Sequence, residues 1–61
     1  MEKERVKIYL NRICIIILKN RLKYEGKIIK ILDSSFFIDD IKLGEFEIDS
    51  SSVALIIDKH I

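Results

Sequence analysis

Cys14 and His60 are the chain's only cysteine and histidine, so a nucleophile–base pair or a soft metal site would have to use them. Neither is placed for it. Cys14 sits inside the apolar run Ile13–Leu18, where a free thiol behaves as a small buried hydrophobe. His60 lies in the terminal dipeptide, beyond every patterned segment, where chain ends are ordinarily solvated. There is no CxxC or Cys/His cluster of zinc spacing, no glycine-rich phosphate loop and no HExxH. Asp39 and Asp40 are neighbours, and on a strand their side chains point to opposite faces, so they make no paired-carboxylate site. Asp33, followed by two serines, reads as a turn aspartate accepting backbone N–H bonds. These residues point to a non-enzyme with no catalytic residue, metal ligand or cofactor.

Charge is the remaining chemistry. The net charge of +1 conceals an asymmetry: residues 1–30 hold nine basic and three acidic residues, a balance of +6, whereas residues 31–61 hold two basic and seven acidic, a balance of −5. The basic half, beginning with Lys3, Arg5 and Lys7, could attract phosphates through its summed field. The two halves could equally well pair with each other, within or between subunits.

A chain of 61 residues is one small domain, and a domain of about that size buries only about 60% of its surface on folding. With no disulfide or metal staple available and 49% hydrophobic residues, a core completed by oligomerisation is expected. The longest apolar run has six residues, far below the ~20 needed to cross a bilayer. No signal-peptide pattern precedes it, and the free thiol suits a reducing compartment. A cytoplasmic protein without membrane contact is expected.

The local patterns predict one helix followed by strands. Val6, Tyr9, Leu10 and Ile13 form a helical stripe and Glu2 and Glu4 suit a helix N-terminus, giving a helix over about 2–11. Thereafter isoleucine, present fourteen times in the chain, favours a pleated surface. Strands are predicted over about 13–18, 22–32, 36–41, 43–48 and 52–58, joined by turns at 19–21, 33–35 and 49–51. Gly26 falls inside the long second strand, where a missing side chain marks a bend, a bulge or close backbone approach. With no helix-length segment between strands, βαβ and all-helical folds are excluded. The expected fold is all-β with a short N-terminal helix, its five-stranded antiparallel sheet strongly bent into a small open barrel.

At this level the chain resembles the Sm-like (LSm) family, which includes the Hfq-type RNA chaperones. The residues carrying the resemblance are Leu18-Lys19-Asn20, Tyr24-Glu25-Gly26, Ile28 and Asp33 for a first signature, and Ile48-Asp49-Ser50-Ser51-Ser52-Val53-Ala54-Leu55-Ile56 for a second. It spans about residues 5–57. It implies a homo-oligomeric ring of six or seven subunits, in which the fourth strand of one subunit pairs with the fifth of the next. It also implies binding of single-stranded RNA by loop residues Ser34, Ser35, Phe36, Ser50 and Ser51, with phosphates meeting Lys3, Arg5 and Lys7. Three positions depart from the family pattern: Arg21 stands for a glycine, Phe36 for an asparagine that pairs with a base, and Asp49-Ser50 for arginine-glycine. Phe36 would then act as a stacking surface, and a carboxylate in place of a cation is unfavourable beside phosphates. These departures support a second reading, a non-catalytic protein-assembly scaffold that has lost the RNA pocket.

Overall fold

Hydrogen bonding between isoleucine-rich segments organises the chain. A computed structural model describes residues 1–59; His60 lies outside the described residues. The elements in order are α1 (Lys3–Lys7), β1 (Ile13–Leu18), β2 (Lys23–Ile31), β3 (Ser35–Asp40), β4 (Gly44–Asp49), a 3-10 turn (Ser50–Ser52) and β5 (Val53–Asp58). The strands form one antiparallel sheet in the order β4-β3-β2-β1-β5.

Two expectations are corrected. The sheet is open, neither closed nor strongly curled, so the small barrel expected from the Sm-like resemblance does not form. A barrel requires an unbroken ladder around its circumference. Here β4 pairs with β3 and β5 with β1, and each keeps an unpaired edge. The helix expected over 2–11 is also shorter, ending at Lys7. The backbone of β2 captures the segment that follows: Asn11 N–H donates to the Ile28 carbonyl (2.7 Å), and Ile28 N–H donates to the Arg12 carbonyl (3.2 Å). Asn11 reverses the chain at φ 65°, a conformation asparagine tolerates better than most residues.

Residues directly opposite one another in an antiparallel pair share a face, so the register sorts the sheet into two sides. The inner side carries Cys14, Ile16, Ile28, Phe36, Ile38, Ile48, Val53 and Ile56, all buried, with Val6 of α1 in the same cluster. Tyr24 and Phe46 meet edge to face at its margin, with ring centroids 5.0 Å apart. The outer side is banded. Glu45 and Glu47 stand on β4, Phe37 and Asp39 on β3, Lys23, Glu25 and Lys27 on β2, Ile13, Ile15 and Ile17 on β1, and Leu55 and Ile57 on β5.

Gly26 is where two backbones pass closely. It pairs with Cys14 on one side and Asp40 on the other. A Cβ at this position would overlap the Asp39 carbonyl and lie 2.7 Å from Asp40 Cα. Gly44 begins β4 at φ 81° and so completes the β3–β4 turn. Arg21 occupies the left-handed region at φ 72°, which costs a side-chain-bearing residue about 1–2 kcal/mol.

Gly26→Val should lower stability by about 1–3 kcal/mol, the usual cost of overpacking, read as a lower urea midpoint at unchanged slope. Gly26→Ala should also destabilise, because the Cβ itself has no room. Arg21→Gly should act in the opposite direction, raising stability by about 0.5–1 kcal/mol as relief of strain exceeds the entropy cost of glycine.

Candidate functional site: a carboxylate-lined cleft between two turns

The turn before β3 and the turn before β5 meet at one end of the sheet, where Ser50 N–H donates to the Ser34 carbonyl (2.9 Å). The start of the chain closes over them. The Met1 ammonium donates to the Ser50 carbonyl (2.6 Å) and Lys3 Nζ to the Asp33 carboxylate (2.9 Å). Between them opens a cleft of about 390 Å³ lined by Lys3, Asp33, Ser34, Asp49, Ser50 and Ser51, together with Met1 and Glu2. A second depression continues from it past Ser35 and Glu47.

The fold therefore brings together Lys3, Ser34, Ser35, Ser50 and Ser51, five of the expected RNA-contacting residues. It does not bring the other three. Phe36 is fully buried in the core between Ile31 of β2 and Ile48 of β4. The stacking role expected for it is corrected: its alternation places it on the inner face, and no base can reach it. Arg5 is exposed on α1, and Lys7 is exposed beside Glu4 at 3.7 Å. Neither lines the cleft.

The electrostatics of the cleft are acidic. Glu2, Asp33, Asp49 and Glu47 line it or its continuation, against two cations, the Lys3 side chain and the Met1 ammonium. Asp49 is fixed by accepting from both the backbone N–H (3.0 Å) and the hydroxyl (2.9 Å) of Ser51. Those bonds hold its carboxyl below the usual carboxylate range. Asp33, expected to accept from its own turn, accepts instead from Lys3 thirty residues away. The bond and the charge of Lys3 lower its pKa, and the same pair raises that of Lys3. Ser35 donates its hydroxyl to Glu47. Among the described residues no three His, Cys, Asp or Glu side chains converge to hold a metal ion.

Asp40, on the inner face, serves a different turn. Its carboxylate accepts from the N–H groups of Lys42 (2.8 Å) and Leu43 (3.0 Å), and from Glu25 N–H (3.3 Å). These bonds lower its pKa against the opposing effect of burial. Cys14 is fully buried, and burial pushes its thiol up to about 11, so at neutral pH it is neither a thiolate nor a nucleophile.

The charge asymmetry resolves partly into internal pairing. Lys3–Asp33, Arg12–Asp58 (2.6 Å) and Lys59–Glu25 (2.6 Å) each join one half of the chain to the other. Lys19, Arg21, Lys23, Lys27 and Lys30 remain exposed without an ion-pair partner among the described residues. No helix among the described residues is long and apolar enough to cross a membrane.

Asp33, Asp40 and Asp49 each have a lower pKa folded than an unpaired aspartate. The folded state therefore binds fewer protons than the unfolded state in the acid range. The stability they contribute should be complete above about pH 5 and lost as pH falls through and below the unfolded aspartate value of about 4. Thermal melting followed from pH 7 to pH 2 should show this decline, and Asp40→Asn should flatten it.

Comparison with protein-family models, with curated proteins and with solved structures finds no match. The likeness to Sm-like proteins accordingly rests on the two sequence signatures alone.

Proposed function

We propose that this chain is a non-catalytic assembly module, whose copies join through the unpaired strand edges and whose loop cleft is a contact surface for protein rather than a pocket for RNA. The observation that carries this reading is the lining of the cleft and its continuation: the carboxylates of Glu2, Asp33, Asp49 and Glu47 outnumber the two ammonium groups of Lys3 and Met1. Carboxylates repel phosphates directly, and affinity for a nucleic-acid strand comes chiefly from cations that displace its counterions. Burial of Phe36 removes the one aromatic surface that sequence placed there. The exposed apolar residues support assembly: Ile13, Leu55 and Ile57 are 42–53% exposed along β1 and the outermost strand β5. A single free cysteine, with no bridge, suits a reducing, cytoplasmic setting.

A second reading is binding of single-stranded RNA by a ring of six or seven copies. It is favoured by a separate observation, the exposed cations Arg5, Lys19, Arg21, Lys23, Lys27 and Lys30, which lie away from the cleft. On that reading affinity would fall steeply with salt and show little base preference.

Solution mass and fluorescence anisotropy with labelled poly-U and poly-A strands separate the two. The assembly reading expects a species larger than the monomer and no anisotropy change at about 50 mM salt, a condition that favours phosphate contacts. Asp49→Arg should leave that result unchanged. Salt-sensitive binding by the wild type, weakened by Arg5→Ala with Lys7→Ala, would establish the RNA reading instead. A folded monomer at micromolar concentration would exclude assembly.

A further inference from the structure

The two free edges of the sheet are chemically unlike. β4 carries Glu45, Glu47 and Asp49 at alternate positions, all exposed. A row of like charges on an edge strand discourages another strand from adding there. β5 carries no such row. Its outer-face residues Leu55 and Ile57 are 49% and 42% exposed, and they continue the apolar band of Ile13, Ile15 and Ile17 on β1.

Three ways of joining two copies edge to edge can be compared on these residues. β4 against β4 sets carboxylates against carboxylates. β4 against β5 sets Glu45 and Glu47 beside Leu55 and Ile57, where an ionised group gains no partner and loses water. β5 against β5 sets apolar residues against apolar residues. Resting on the assembly reading above, we infer that β5 pairs antiparallel with β5 of a second copy about a two-fold axis through Ile56.

The register follows from the faces. In an antiparallel pair, opposite residues must point to the same side of the sheet. A two-fold axis normal to the sheet therefore passes through a residue rather than between two. Centred on Ile56, Leu55 stands opposite Ile57 of the second copy, twice over, on the outer face, and Ile56 meets its own counterpart on the core face. Centring on Ile57 would place Leu55 opposite Lys59, and centring on Leu55 would place outer-face Ile57 opposite Val53, which the irregularity at Ala54 turns into the core. Ile56 is the one centre that keeps both apolar outer-face residues paired. The contact is isologous and closes at two copies.

A double variant, Leu55→Cys with Ile57→Cys, tests the register. Directly opposed residues have Cβ atoms about 4.5–5.5 Å apart, within reach of a disulfide after small adjustment. Oxidation with diamide should give a covalent dimer on a non-reducing gel, whereas the wild type, with only the buried Cys14, should give none. In solution the wild type should have the mass of two copies, and Leu55→Lys or Ile57→Lys should convert it to a monomer with an unchanged circular dichroism spectrum. Glu45→Lys with Glu47→Lys should leave the dimer intact. A larger assembly that the β4 changes disrupt, or a dimer in which the cysteine pair fails to cross-link, would overturn this inference while leaving the assembly reading standing. A monomeric wild type would overturn both.

Discussion

At Gly26 the backbone of β3 lies so near β2 that no side chain can stand between them. β2 is the longest strand and is paired on both sides, to β1 and to β3, so this approach sets how the two halves of the sheet meet. On the β1 side it aligns Cys14, Ile16 and Ile28 on the inner face. On the β3 side it brings Asp40 to the place where its carboxylate can satisfy three N–H groups from β2 and from the following turn. A buried carboxylate is expensive unless fully bonded, and here the β3–β4 turn and the β2 backbone supply the donors. A residue larger than glycine at this position would therefore strain the sheet and misplace the acceptor of a turn fifteen residues away.

A second tie holds the far end of the molecule. The Lys3–Asp33 pair, the Met1–Ser50 bond and the Ser50–Ser34 bond lash α1 to both turns. Val6 of the same helix is buried in the apolar core, and that packing supports a helix of five residues that its own hydrogen bonds could not. The same arrangement makes the cleft and sets its sign. Lys3, expected to meet a phosphate, instead pairs with Asp33 and ties down the N-terminal segment, while Asp49 and Glu47 accept from serine hydroxyls. The cleft's acidity is a by-product of how the fold is closed.

The two edges follow from the same economy of a small sheet. Among the described residues no strand pairs with the outer edge of β4 or of β5, so each edge is left to its own composition. β4 carries a row of carboxylates and the outer face of β5 is apolar, so the two edges are chemically unlike.

Much of this was legible in the sequence, and the reason is local. Isoleucine content, alternation and serine- or glycine-bearing turns act over a few residues, so a single N-terminal helix and five antiparallel strands followed from them. The inert setting of Cys14 and the opposed faces of Asp39 and Asp40 followed in the same way. Tertiary structure decided what depended on distant partners. Helix length was settled by the β2 backbone capturing Asn11 and Arg12, a competition that helical periodicity cannot report. The open sheet, where a barrel was expected, was settled by which strands share a ladder. Phe36 was assigned to a binding loop by alignment with a family motif, yet its register against Ile31 and Ile48 turned it inward. Asp33 found Lys3 across thirty residues, and that pairing, invisible to any local pattern, left the gathered turns acidic. Short-range stereochemistry is written in neighbouring residues; the sign and the contents of a site assembled from three separated segments are not.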